Sequence, residues 1–271
     1  TAITPVSMDH MQFLGETFAA IAGEKAAIQK QNVPSVIGEQ GADAARVIDV
    51  YAAEAKAPLY RFGVEWGVSG GPGGFWVRSR ATSRQFPAPS LHGAHQLHNA
   101  GMAVACVEKL EGFDISNVAI AEGLTQAIWP GRLQKLREGP LVDLLPSGWE
   151  LWLDGGHNAA AGLVLAEAAR GWKDQPLDLI FGMLNTKDLG AFLRPMAPAV
   201  RASASVAIPG EGASLSALEA AQEGRALQLW ATPSEDVAAA ILTLINDADR
   251  PGRILICGSL YLAGAILSQN A

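Results

Sequence analysis

Leu14, Phe18, Ile21, Lys25 and Ile28 follow one another at intervals of four, three, four and three, a spacing that puts a lysine on the apolar stripe of a helix. Either the long stem snorkels past the core to solvent, or burial favours the neutral amine, which can act as a nucleophile or take up carbon dioxide. Asp9 and His10 close the opening apolar stretch, and ligands of open α/β sheets gather at the carboxyl ends of strands. A lone histidine there also fits a structural role. In LWLDGGHNAAAG an apolar run ends on Asp154, turns at Gly155 and Gly156, and opens a helix with His157 and Asn158. Glycines let backbone approach a ligand and a helix N-terminus favours anions, although the same turn also serves plain packing. Arg132, in the turn-rich WPGRLQ, is either a solvated charge or a bidentate clamp for phosphates. The glycine-rich GVSGGPGG reads as a loop. It lacks the GxxxxGK(S/T) spacing of a phosphate-binding loop and runs into the strand-like FWVRS instead of a helix.

These residues need a scaffold, and the hydrophobic periodicity supplies one. Residues 2–8, 34–38 and 58–62 read as strands, 14–29 and 42–55 as helices, and Phe75 to Arg78 as a hairpin arm. A helix follows over 95–110, and Ser116 is a plausible N-cap for another running to about Ala127. From residue 150 onward the pattern is regular. Strands at 150–154, 177–184, 203–209, 227–230 and 253–257 alternate with helices at 159–172, 189–196, 215–223, from Ser234 to 247, and from Leu260. Such alternation, with near-continuous apolar strands, predicts an α/β protein whose parallel sheet is covered on both faces. The expected domain break lies near Val142 to Ser147, giving domains at 1–142 and 143–271.

A length of 271 residues suits two domains, and 49% hydrophobic with 17% charged residues suits a globular chain with a sizeable core. A net charge of -7 argues against a grip on a nucleic-acid backbone. No apolar run is long enough to span a membrane, and no basic-then-apolar leader opens the chain. Cys106 and Cys257 each sit inside an apolar run, as buried free thiols do, which points to a reducing, cytoplasmic home. A start at TAITPVSMDH, without methionine, leads us to expect a piece of something longer.

Taken in order, the motifs resemble one family. MDHMQFLGETFAAIAGEKAAI is similar to the LDHxxxLGxTxxxIAxEKAGI stretch of the folylpolyglutamate synthase and dihydrofolate synthase family, relatives of the Mur ligases. GAHQLHNAGMAVACVEKL is similar to its GxHQxxNAxxAxAxxxxL, WPGRLQ to its WPGR signature, LWLDGGHNAAAG to DGAHNP, FGMLNTKD to FGMLxDKD, and GSLYLAG matches near the C-terminus. Three departures stand out: Ala27 replaces glycine, Gly156 replaces alanine and Ala159 replaces proline.

The resemblance implies the rear part of a P-loop-type ATPase domain followed by a Rossmann-like parallel-sheet domain. It implies ATP and magnesium as cofactors, with dihydropteroate or folate and L-glutamate as substrates, and a monomer. Matching positions assign His10 to magnesium, Lys25 to carbamylation, Asn99, Arg132 and Asp154 to the nucleotide, and His157 to the catalytic cleft. Ser259, Lys187 and Asp188 become candidate substrate contacts, while His95 and Gln96 are read as helix-start packing or capping. The implied reaction passes through an acyl phosphate. Two alternatives stay open: a Mur-type amino-acid ligase of cell-wall synthesis, and a non-catalytic nucleotide-binding fragment.

Overall fold

The computed structural model describes residues 1–9, 11–71, 73–80 and 82–270, and they form two compact units, Thr1–Ile128 and Trp129–Ala271. In the first unit, β1 (Ala2–Ile3) lasts two residues where a strand is expected to residue 8. Pro5 has no N–H to give a ladder, and Gln40 takes over the bracing. It donates from Nε2 to Thr4 O (3.0 Å) and accepts from Val6 N (3.0 Å).

The helix expected over 14–29 is two pieces, α1 (Met11–Leu14) and α2 (Phe18–Ala26). Gly15 has φ +100°, which glycine adopts without strain, and Thr17 caps α2 by accepting from Ala20 N (3.1 Å). This break corrects the stripe. Leu14 belongs to the other piece and Ile28 lies beyond α2, while Phe18 and Ile28 are 44% and 46% exposed. The buried face is Ile21, Ala22 and Ala26, with Ala26 packed among Ile3, Ile37 and Ile48. Lys25 is exposed, so it does not lie on a buried face of α2.

β2 (Ser35–Ile37), α3 (Ala42–Ala55) and β3 (Leu59–Arg61) complete a parallel sheet in the order β1-β2-β3. The glycine-rich segment then departs from the loop expected of it. It forms the facing arms of β4 (Trp66–Gly71) and β5 (Gly74–Ser79), with Gly67 opposite Arg78 and Gly71 opposite Gly74, and β6 (Ser83–Phe86) extends the antiparallel sheet. Glycines show no alternation in sequence. Phe75, Val77 and Phe86 carry the buried face, packed with Ala100, Val104, Ile120 and Leu124 of α4 (His95–Val107) and α5 (Asn117–Gln126). Ser116 caps α5 by accepting from Ala119 N (3.2 Å).

The second unit begins with β7 (Gln134–Leu136), which runs antiparallel to β8 (Glu150–Leu153). The division expected near 142–147 therefore falls inside this unit. Leu136 and Leu141 lie in the same core as Leu151 and Leu153. The chain continues through α6 (Ala159–Gly171), β9 (Leu177–Phe181), α7 (Leu189–Leu193), β10 (Val200–Ser205) and α8 (Ala217–Ala226). It ends with β11 (Ala231–Pro233), α9 (Val237–Asn246), β12 (Arg253–Cys257) and α10 (Leu260–Gln269). The strand expected at 227–230 is displaced to β11, because Gln228 turns the chain at φ +66° and Trp230 is exposed.

The sheet order is β11-β10-β9-β12-β8-β7, parallel except for β7. Alternate residues face opposite layers. Leu179, Phe181, Leu255 and Cys257 pack with Leu165, Phe192 and Ala220, whereas Ile180, Ile254 and Ile256 pack with Ile241, Leu244, Leu262 and Ile266. Burial on both faces explains why the central strands β9 and β12 are mostly apolar.

A polar network closes the amino ends of β8 and β12. Arg253 donates from Nε to Glu150 (2.6 Å) and from both terminal nitrogens to Asp174 (2.8 and 2.8 Å), while Lys135 Nζ and Trp152 Nε1 also reach Glu150 (2.6 and 3.0 Å). Burial pushes the Glu150 carboxyl up, but these donors and the Arg253 charge outweigh it and hold the group at about 2. A folded value below the ordinary 4.5 gives stability that is present above the ordinary value and lost as pH falls toward the folded one. Thermal unfolding is therefore expected to hold steady down to about pH 5 and to weaken below it, with Glu150→Gln showing a shallower acid decline. An acid profile unchanged by Glu150→Gln contradicts this assignment.

Candidate functional site

Asp154 follows β8 and lies between two loops, one leading into β7 and one leading into α6. Its Oδ2 accepts from Leu133 N (2.8 Å) and its Oδ1 from Gly156 N (2.7 Å). Gly155 N donates to Gly131 O (2.8 Å), so the WPGR and DGGHN segments are stitched together at several points. Gly131 and Leu133 both adopt left-handed backbone, at φ +68° and +42°. For leucine that conformation costs on the order of 1–2 kcal/mol. Burial of the Leu133 side chain and its N–H bond to Asp154 offset it, and Arg132 is left exposed between them.

The second loop has no room for side chains. A Cβ on Gly155 would meet Leu260 Cδ2 at 2.4 Å, and one on Gly156 would meet both Ala161 Cβ and Asp154 Oδ1 at 2.8 Å. His157 Nδ1 lies 2.9 Å from Gly155 O, and Asn158 caps α6 by accepting from Ala161 N (2.9 Å). Asp154 is only 9% exposed. Burial pushes its carboxyl up, opposed by the N–H groups of Gly156 and Leu133 and by the charges of Arg132 and His157. A buried carboxylate kept under such strain, beside an exposed arginine and a histidine, is the kind of group found at functional sites.

Two proposed substrate contacts meet a different environment. Ser259 is buried, and its Oγ accepts from Tyr261 N (3.0 Å) as the N-cap of α10. Asp188 caps α7, accepting from Ala191 N (2.8 Å). Lys25 lies exposed on α2, as described above. His10 falls outside the described residues. Among the described residues no group of three or more His, Cys, Asp or Glu side chains could hold a metal ion. Magnesium asks little of the protein, binding through one or two carboxylates plus substrate phosphates.

In the first unit, α4 places Asn99 beside a cavity of about 360 Å³ walled mainly by apolar groups, among them Leu91, Ala103, Val107, Ile120 and Leu124. Gln96 and Asn99 are its polar members. Asn99 Nδ2 donates to Gln96 Oε1 (3.0 Å), and Gln96 Nε2 lies 2.9 Å from His95 Nε2. His95 and Gln96 therefore form a side-chain chain to Asn99, where packing or capping of the helix start is expected. α4 begins at Ala94 without a side-chain cap.

No protein-family model matches the chain. The chain is 30% identical over 280 residues to the folylpolyglutamate synthase of Lacticaseibacillus casei, an alignment covering 98% of this chain and 60% of that protein. Among solved structures, Escherichia coli FolC in complex with DHPP and ADP matches at a TM-score of 0.83 and 25% identity, over 98% of this chain and 60% of that one. A bifunctional folylpolyglutamate synthase/dihydrofolate synthase with Mn, AMPPNP and L-glutamate bound matches at a TM-score of 0.80 and 28% identity, over 98% and 61%. The chain belongs to the folylpolyglutamate synthase/dihydrofolate synthase family. It spans about 60% of the length of these relatives.

Within the folylpolyglutamate synthase pattern, the glycine at 156 now has a physical reason. Ala161 Cβ and Asp154 Oδ1 fill the space that a family alanine would need, so a methyl at 156 in this chain forces a shift of α6 or of the carboxylate. Sequence reasoning finds Asp154 but not its hold on Leu133, and finds Asn99 but not the partners that orient it. The left-handed Leu133 carries no signal in the sequence. The adjacent HQ of GAHQLHNA is the one clue to the second omission.

Proposed function

We propose that this chain forms part of an ATP-dependent ligase that joins L-glutamate to dihydropteroate, to folate, or to both. The observation that carries the reading is the match to folylpolyglutamate synthases over 98% of the chain, running through each motif that could do the chemistry. A carboxylate is too poor an electrophile for an amine at neutral pH. Transfer of the γ-phosphate of ATP to the pterin-linked carboxylate makes an acyl phosphate, whose carbonyl carbon the amino group of glutamate then attacks. The C–O bond to phosphate breaks from a tetrahedral intermediate, inorganic phosphate leaves, and the amide nitrogen loses its extra proton. Positioning and charge neutralisation do most of the work in such transfers.

The roles are proposed from the matching family positions and supported by each residue's surroundings. The apolar cavity beside α4 suits a purine ring, with the Asn99 amide able both to donate and to accept at the adenine edge. Exposed Arg132 offers a planar, bidentate partner for phosphate oxygens. Asp154 holds the loop that presents Arg132 and adds a contact to the nucleotide, and His157 serves near the reacting groups. His10 and a carbamate on Lys25 are the residues proposed to hold magnesium, which when bound would neutralise phosphate charge. Ser259 acts by fixing the start of α10. No GxxxxGK(S/T) phosphate-gripping loop occurs in these residues.

The remaining environment fits a cytoplasmic enzyme. Cys106 and Cys257 are free thiols, and burial pushes both up. Among the described residues no helix is long and apolar enough to cross a membrane. The test is ATP-dependent incorporation of labelled glutamate by the full-length gene product, with dihydropteroate and with a reduced folate as acceptors. Product with at least one acceptor is expected. Failure with both, by folded protein supplied with magnesium and bicarbonate, sinks the reading.

A further inference from the structure

Three side chains on the opening turns of α4 form a relay whose polarity has a consequence for the nucleobase. As placed, Gln96 Nε2 donates to His95 Nε2 (2.9 Å) and Gln96 Oε1 accepts from Asn99 Nδ2 (3.0 Å). Gln96 is 4% exposed and lines the cavity together with Asn99. Only two polarities of such a relay satisfy every member. In one, the Nε2 of His95 is an acceptor, and the Asn99 amide spends one Nδ2 hydrogen on Gln96. In the other, His95 Nε2 carries the proton, both amides turn over, and Asn99 accepts from Gln96.

The two states present opposite edges. In the first, the remaining Nδ2 hydrogen and Oδ1 of Asn99 form a donor–acceptor pair in one order, and in the second that order is reversed. A 6-amino purine offers a donor at its exocyclic nitrogen beside an acceptor at N1, while a 6-oxo purine offers an acceptor at O6 beside a donor at N1. One polarity therefore fits one purine class and opposes the other. Room for the first member is also built in. Gly93 stands at φ +108°, and a Cβ there would meet His95 Cε1 at 2.6 Å and Nδ1 at 2.8 Å.

We propose that Gln96, held between His95 and Asn99, is the positioning residue that selects a 6-amino purine over a 6-oxo purine in this cavity. The proposal rests on the cavity being the adenine site of the function proposed above. Gln96 is placed as a positioning residue because its polar atoms are turned to its two neighbours. A helix-packing role alone would alter stability without altering the choice of base.

The experiment compares ADP with IDP, which differ at the purine 6-position and N1, by ligand-observed NMR titration of the full-length protein. Wild type is expected to prefer ADP by about tenfold or more, the worth of one good bidentate pair. Gln96→Met fills similar volume without the amide and is expected to bring the two nucleotides within about threefold, because Asn99 is then free to turn. Gly93→Ala, which displaces His95 from outside the cavity lining, is expected to reduce the preference in the same direction, and it stands in if Gln96→Met does not fold. A tenfold preference that persists in a folded variant overturns the relay and leaves the adenine reading intact. Wild type that binds neither nucleotide, or both equally, overturns the relay and the adenine reading together.

Discussion

Replacing Lys25 with alanine in the full-length protein is expected, under the proposed function, to lower turnover by about two orders of magnitude or more, the usual cost of removing one preorganised charge-stabilising group. Formate or acetate is expected to restore part of it. The reasoning starts from exposure. Lys25 is exposed on α2, where carbon dioxide can reach it. A carbamate forms when the ammonium gives up one proton, the neutral amine nitrogen bonds to the carbon of carbon dioxide and a second proton leaves, turning a cation into an anion. Such an anion persists where a cation meets it, and a bound magnesium is the largest local charge a site of this kind holds. A small carboxylate can occupy the place of the missing carbamate, which an ordinary solvated lysine gives no reason to expect. Full activity in Lys25→Ala, or a loss that no carboxylate reverses, returns Lys25 to the role of a solvated surface charge.

Asp154→Ala is the second large effect. The substitution removes two acceptors at once, leaving the N–H groups of Leu133 and Gly156 without the partners they have at 2.8 and 2.7 Å. An orphaned buried N–H costs about 1–3 kcal/mol, partly recovered here because the Gly156 side of the loop can reach water. Loss of a buried carboxylate that burial already pushes up works in the opposite direction. The expected net is a destabilisation of about 1–3 kcal/mol in denaturant unfolding, together with a fall in turnover of tenfold or more as Leu133 relaxes and Arg132 loses its place. Asp154→Asn separates the two contributions. Its amide keeps one acceptor but sets an NH2 against the other N–H, so activity is expected to fall even where stability holds. Equal activity in Asp154→Asn and wild type contradicts a role for the paired acceptors.

Much of the scaffold is legible because burial writes itself into sequence. β9 and β12 are apolar except for Asp178 and Arg253, since both faces are covered, and α3 declares itself by Ala44, Ile48 and Ala52 on one face. The N-cap at Ser116 follows from its hydroxyl and position alone. Features set by backbone conformation are harder to see. Gly15 splits a stripe that looks continuous, and the glycines of β4 pair in register without side chains to show it. β7 is three residues long and is held by its partner, so local pattern gives no sign of it. The same division holds at the site. Asp154, Asn99 and Arg132 are readable as residue types in motifs, whereas the left-handed Leu133 and the relay through Gln96 exist only in three dimensions.

The acyl phosphate is the centre of the account, and oxygen labelling reaches it directly. When the full-length protein is given ATP, L-glutamate and dihydropteroate labelled with oxygen-18 in its carboxylate, the proposed route predicts one labelled oxygen in inorganic phosphate per turnover, because the carboxylate oxygen that receives the γ-phosphate departs with it. Phosphate released without label during amide formation contradicts the acyl-phosphate route.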